Sequence, residues 1–84
     1  MKLTKFNDPS HGWLKVPKSL LKELGIEDKI SSCSYMRAEY AYLEEDCDLY
    51  LFETAMNKAG RTLEIKESYT ETQSKIPNYN SYKS

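Results

Sequence analysis

Between Tyr40 and Ala59 the chain changes its hydrophobic period once, and acid marks the change. Tyr40-Ala41-Tyr42-Leu43-Glu44 alternates, with Tyr40 and Tyr42 facing one way and Ala41 and Leu43 the other, as in a strand. Glu44-Glu45-Asp46-Cys47-Asp48 follows. Beyond it Leu49, Phe52, Ala55, Met56 and Ala59 recur at helical spacing, and Gly60 ends the run. A strand that stops at an acidic turn and passes into an amphipathic helix needs a sheet for that helix to rest on. The rest of the chain is therefore read for what pairs with this strand.

Two segments fit. Ile30–Met36 is strand-like and precedes Tyr40–Glu44 by a short connection, which predicts a β-hairpin. Arg37-Ala38-Glu39 reads as a tight connection, and Ala at position 38, where a tight turn favours Gly, leaves a wider turn as the alternative. After the helix, Thr62–Tyr69 alternates, with Leu63 and Ile65 inward and Glu64, Lys66 and Ser68 outward. Nearer the start, Met1–Phe6 reads as a short edge strand and Asn7–Gly12 as a loop. Trp13–Val16 is another short strand. Pro17 opens a helix with Leu20, Leu21 and Leu24 on one face, and Gly25 caps it.

The fold class that follows is α+β. It is an antiparallel, twisted sheet of four to five strands with two helices packed on it, in the order β-β-α-β-β-α-β. Residues 1–69 form one domain, and the polar residues 70–84 an extended or mobile tail. The core comprises Trp13, Leu14, Val16, Leu20, Leu21, Leu24, Ile26, Ile30, Leu43, Leu49, Phe52, Met56, Leu63 and Ile65. A chain of 84 residues buries only about 60–65% of its unfolded surface, so a homodimer would add to a thin core.

The net charge of −1 provides no overall basic field, but the charge is segregated. Residues 39–53 hold six carboxylates and no Lys or Arg. No apolar run reaches the roughly 18–20 residues of a membrane span, and Met1–Phe6 has no hydrophobic signal core. Two cysteines without such a signal read as reduced thiols, and the expected location is the cytoplasm.

The chemistry-bearing residues are sparse. The acidic cluster matches the preference of carboxylates for a helix N-terminus, with Asp46 or Asp48 as the N-cap. It lacks the Gly turn and ligand spacing of a calcium loop. His11 is the only histidine, and no spacing sets a nucleophile or an orienting acid beside it. Cys47 lies near a helix start, but among carboxylates that disfavour its thiolate. There is no phosphate loop and no zinc spacing. These readings point to a non-enzymatic protein without a cofactor or metal. Glu44, Glu45, Asp46 and Asp48, with Tyr79 and Tyr82 of the tail, are the candidate contacts to a protein partner. Lys15, Lys18, Lys22 and Arg37 are the candidate contacts to nucleic acid.

Two resemblances add to this. His11-Gly12-Trp13-Leu14-Lys15-Val16-Pro17, Leu24-Gly25-Ile26, Asp28-Lys29-Ile30-Ser31 and Tyr42-Leu43-Glu44-Glu45-Asp46-Cys47-Asp48 together resemble a group of small uncharacterised bacteriophage and plasmid proteins. That resemblance implies a mobile-element origin and a target in the host, such as a defence or replication protein. Val16–Ile30 is similar to the strand–Pro–helix–Leu-Gly-Ile–strand unit of AbrB-type DNA-binding domains, which are swapped-hairpin dimers. That similarity implies a dimeric DNA-binding regulator as the alternative. The family reads DNA through sheet-loop arginines, of which this chain has only Arg37 and Arg61.

Overall fold

Tyr40–Glu44 does form a strand, and it lies in the middle of the molecule. The computed structural model describes residues 1–84 and shows an α+β fold, an open mixed sheet of six strands carrying two helices. The elements are β1 (Lys2–Asn7), β2 (Gly12–Pro17), α1 (Lys18–Glu23), β3 (Tyr35–Arg37), β4 (Tyr40–Glu44), α2 (Leu49–Lys58), β5 (Glu64–Tyr69) and β6 (Asn80–Ser81). The sheet order is β5-β1-β2-β4-β3-β6.

The sheet has six strands where four to five were expected, β6 being the addition, and the all-antiparallel expectation is corrected at one pairing. β5 lies parallel to β1, with Leu3 opposite Ile65 and Lys5 opposite Glu67. The reason is α2. β2 runs antiparallel to both β1 and β4, so β4 and β1 point the same way. A helix that leaves β4 and returns across one face delivers the next strand in that same direction. β1 is consequently an inner strand, and β5 takes the edge. By the same logic β2–α1–β3 is also a crossover, with β4 inserted between its two parallel strands.

Both helices press on one face. Leu20, Leu21, Leu49, Phe52 and Met56 pack there with Leu14, Val16, Ala41 and Leu43. Gly25 and Gly60 take positive φ just past the two helices, as their sequence positions imply. Leu24, Leu63 and Ile65 are half-buried at the margin of this core, and Trp13 belongs to the opposite face.

Three further expectations are corrected. The strand read as Ile30–Met36 is reduced to Tyr35–Arg37, because Ser31 and Ser34 turn their side chains to the Asp48 carboxylate and the chain there bends instead of extending. The hairpin turn is the tight connection and not the wider alternative, with only Ala38 and Glu39 between β3 and β4, and Ala38 adopts φ 52°. Residues 70–84 are not a loose tail. They recross the helix-free face as a strap, with a 3-10 turn at Ile76–Asn78, and then add β6 beside β3. Ile76 and Tyr82 are buried, and the Tyr82 hydroxyl donates to the Glu27 carbonyl at 2.6 Å.

An Ala held at positive φ costs about 1–2 kcal/mol, only part of which glycine returns through its freer unfolded chain. Ala38→Gly is therefore expected to raise stability by about 0.5–1 kcal/mol, read as a higher urea midpoint with an unchanged slope.

Candidate functional site

The face without helices is built by alternation. Leu14 and Val16 go to the helix side, so Trp13 and Lys15 go to the other, and the same parity applies along each strand. Phe6, Trp13, Tyr35, Tyr40 and Tyr42 line it, with Tyr79 of the strap. The strap covers one end of this face. Its course is fixed by Thr70 N–H donating to the Asn7 carbonyl and Ser74 N–H donating to Asp8 Oδ2 at 3.0 Å. Ile76 and Tyr79 then lie over Trp13 and Tyr42, and the Tyr42 and Tyr79 rings meet at 5.2 Å. Burial raises the Tyr42 phenol above its ordinary range, with the Tyr79 ring hydroxyl adding to the shift.

The other end of the face is open. Tyr40 sits there half-buried, with Lys15 Nζ 4.1 Å from its ring centroid. Arg37 lies directly opposite Tyr40 in the β3–β4 pairing and is exposed. Its guanidinium stands 5.1 Å over the Tyr79 ring and donates to the Tyr79 hydroxyl at 3.2 Å. Exposed cation–π contacts of this kind contribute about 0.5–1 kcal/mol each. Lys2 and Lys66 share the face by parity with Phe6 and against Ile65, and both are exposed. The carboxylates at this end are Glu64, 3.9 Å from Lys2, and Glu39 in the hairpin turn.

Lys15 and Arg37, two of the four cations expected to meet nucleic acid, are thus brought together around Tyr40. Lys18 stands at the rim, in the cleft between Pro17 and the Ala38–Glu39 turn. Lys22, a turn further along α1, belongs to the helix layer and does not join them. Lys2, Lys66 and Tyr40 escaped the sequence reading. Their signal was available: each occupies an outward position of a strand, and cations recur at those positions.

The acidic junction is used internally. Asp48 sits at the N-cap position of α2, but its side chain makes no capping bond. Its carboxylate instead accepts from Ser31 N–H at 3.1 Å, Ser31 Oγ at 2.9 Å and Ser34 Oγ, and the residue is only 3% exposed. Ser34 Oγ in turn accepts from Glu44 N–H at 3.0 Å. Glu44 is nearly buried and accepts from Asp46 N–H at 3.1 Å. Glu45 pairs with Lys5, whose ammonium also reaches Glu67 at 3.6 Å. The hydrogen bond to Glu45 raises the Lys5 pKa. Gly12 makes this corner fit, since a Cβ there would come within 2.6 Å of Asn7 Oδ1 and 2.8 Å of Lys5 Cε. Asp46 alone of the four is exposed without such a side-chain tie. Of the two tail tyrosines, Tyr79 is half-buried on the open face and Tyr82 is buried in the helix-side core.

The nucleophile candidates are quiet. The hydrogen bond with Cys33, then burial and Glu44, push the Cys47 thiol up to about 12. A thiol so held is protonated at neutral pH, the opposite of an activated cysteine. The His11 ring lies tilted against Trp13, centroids 5.7 Å apart, with Nδ1 3.8 Å from Glu44 Oε1. No group of three or more His, Cys, Asp or Glu is placed to hold a metal ion, and no helix is long and apolar enough to cross a membrane. Compared with known proteins, the chain matches no family, no curated protein and no solved structure.

Two measurements follow from these contacts. Ser34→Ala removes a donor to Asp48 and strands the Glu44 N–H, so a loss of about 2–3 kcal/mol is expected in urea unfolding, whereas exposed Ser32→Ala stays within about 0.5 kcal/mol. Asp8 is held below its ordinary pKa, first by the Ser74 N–H and then by those of His11 and Ser10. A depressed carboxylate stabilises the fold above its unfolded value of about 3.9 and loses that contribution as pH falls through its folded value. Below about pH 3.9 the strap is expected to loosen, read as reduced protection of the Ser74 amide relative to its intrinsic exchange rate at the same pH. Asp8→Asn removes this pH dependence.

Proposed function

We propose that this chain is a non-catalytic binding domain that acts on a host macromolecule through its helix-free sheet face. The observation that carries the reading is the open end of that face, where Lys15, Arg37 and Tyr40 converge beside the strap, with Arg37 exposed against Tyr79 of the strap. An exposed Arg37, a half-buried Lys15 and half-buried aromatics set on a sheet suit recognition, since little side-chain order has to be created on binding. The protonated Cys47 thiol and the scattered carboxylates support binding over catalysis. The resemblance to phage and plasmid proteins supports a target in the host cell.

The acidic junction is less suited to the role. Glu44 and Asp48 are buried, and Glu45 is tied to Lys5. A partner approaching there would meet Asp46 and the rim of Glu45 only. Binding at the open face predicts that the protein, immobilised and exposed to host lysate, retains a macromolecule that an Arg37→Glu, Lys15→Glu variant of unchanged circular dichroism releases. Equal retention by the variant would place the contact elsewhere, and no retention by either would remove the reading.

A further inference from the structure

Resting on the binding-face reading above, we infer that the ligand of this face is single-stranded nucleic acid, with its phosphates on Lys2, Lys15, Arg37 and Lys66 and a base stacked on Tyr40. The cations stand on four different strands, β1, β2, β3 and β5. From β5 to β3 there are four inter-strand gaps, which at about 4.8 Å each span about 19 Å. A small anion would meet one or two of these charges. A strand with a phosphate at every nucleotide meets the whole row, at the short end of known single-strand site sizes, about four nucleotides.

Charge complementarity favours this occupant. Two carboxylates accompany the four cations, and one of them, Glu64, is already set against Lys2. Lys18 adds a fifth cation at the rim of the Tyr40 cleft. The aromatic part discriminates further. Tyr40 gives a flat surface for a base, and Lys15 Nζ, now over that ring, moves onto a phosphate when the base arrives. Duplex DNA suits the face poorly. Its major groove admits a projecting helix or two-stranded ribbon, and a broad sheet flanked by a strap offers neither.

The test is fluorescence anisotropy of a labelled oligothymidylate with the full chain. Saturable binding is expected at about 50 mM salt, weakening roughly 20- to 50-fold by 200 mM for three to four phosphate contacts. Tyr40→Ala is expected to weaken it about tenfold or more, with Tyr40→Phe close to wild type. Arg37→Glu with Lys15→Glu, both outside the helix-side core, is expected to abolish it. The inference is overturned by no anisotropy change at about 100 μM protein, by affinity indifferent to these substitutions, or by equal competition from duplex DNA or polyglutamate. Face-dependent retention from nuclease-treated lysate, without oligonucleotide binding, identifies a protein partner instead; the present inference then fails while the binding face stands.

Discussion

Ser34 and Asp48 hold the two halves of this fold in register. The Ser34 hydroxyl donates to the Asp48 carboxylate and accepts from the Glu44 amide, while its carbonyl accepts from the Tyr82 amide at 2.8 Å. One fully buried serine thus joins the end of β4, the start of α2 and the chain beyond β6. A carboxylate as buried as Asp48 would be strongly unfavourable without such donors. It receives three, from two serines, and so becomes a cross-link rather than a cost. The loop Ser31–Ser34 cannot then extend as a strand, which explains why β3 is only three residues long.

The second constraint is coverage. Two helices of six and ten residues shield one face of a six-stranded sheet and have nothing left for the other. The other face is closed by bulk in the sheet itself and by the strap. Trp13 and Tyr42 are large enough to bury one another beneath Ile76. This protection ends where the strap ends. The uncovered remainder has to face solvent, and there the strands carry Lys, Arg, Thr and one carboxylate, Glu64, around a half-buried Tyr40.

Much of the architecture was legible because it is local. Both helices, the glycines that end them and the alternation of Tyr40–Glu44 follow from neighbours within one or two turns. What stayed hidden depends on distant pairs. Nothing near Asp48 in the chain says that Ser31 and Ser34 will claim its carboxylate in place of the N-cap. The parallel β5 follows from the strand–helix–strand order, but which edge it joins is set by the sheet already assembled. Tyr82 lies in a segment with no hydrophobic period, so its burial beside the Glu27 carbonyl left no trace in the pattern. The four candidate cations divided for a similar reason: Lys15 and Arg37 share a face through strand pairing, whereas Lys22 follows the helix to the other side.

Folding also changes the meaning of the charge. Summed along the chain, acid and base nearly cancel, and the densest charge is the negative run from Glu44 to Asp48. In three dimensions that run is largely spent. Asp48 faces serine donors, Glu45 faces Lys5, and Glu44 is nearly buried at the end of β4 beside His11, so little of their field reaches solvent. Lys2, Arg37 and Lys66 have no comparable burial. At physiological ionic strength, charges more than about 8 Å away are largely screened, so an approaching ligand responds to the local set rather than to the total. A chain of net charge −1 can therefore present a basic face, and here the sheet gathers that face around an aromatic ring.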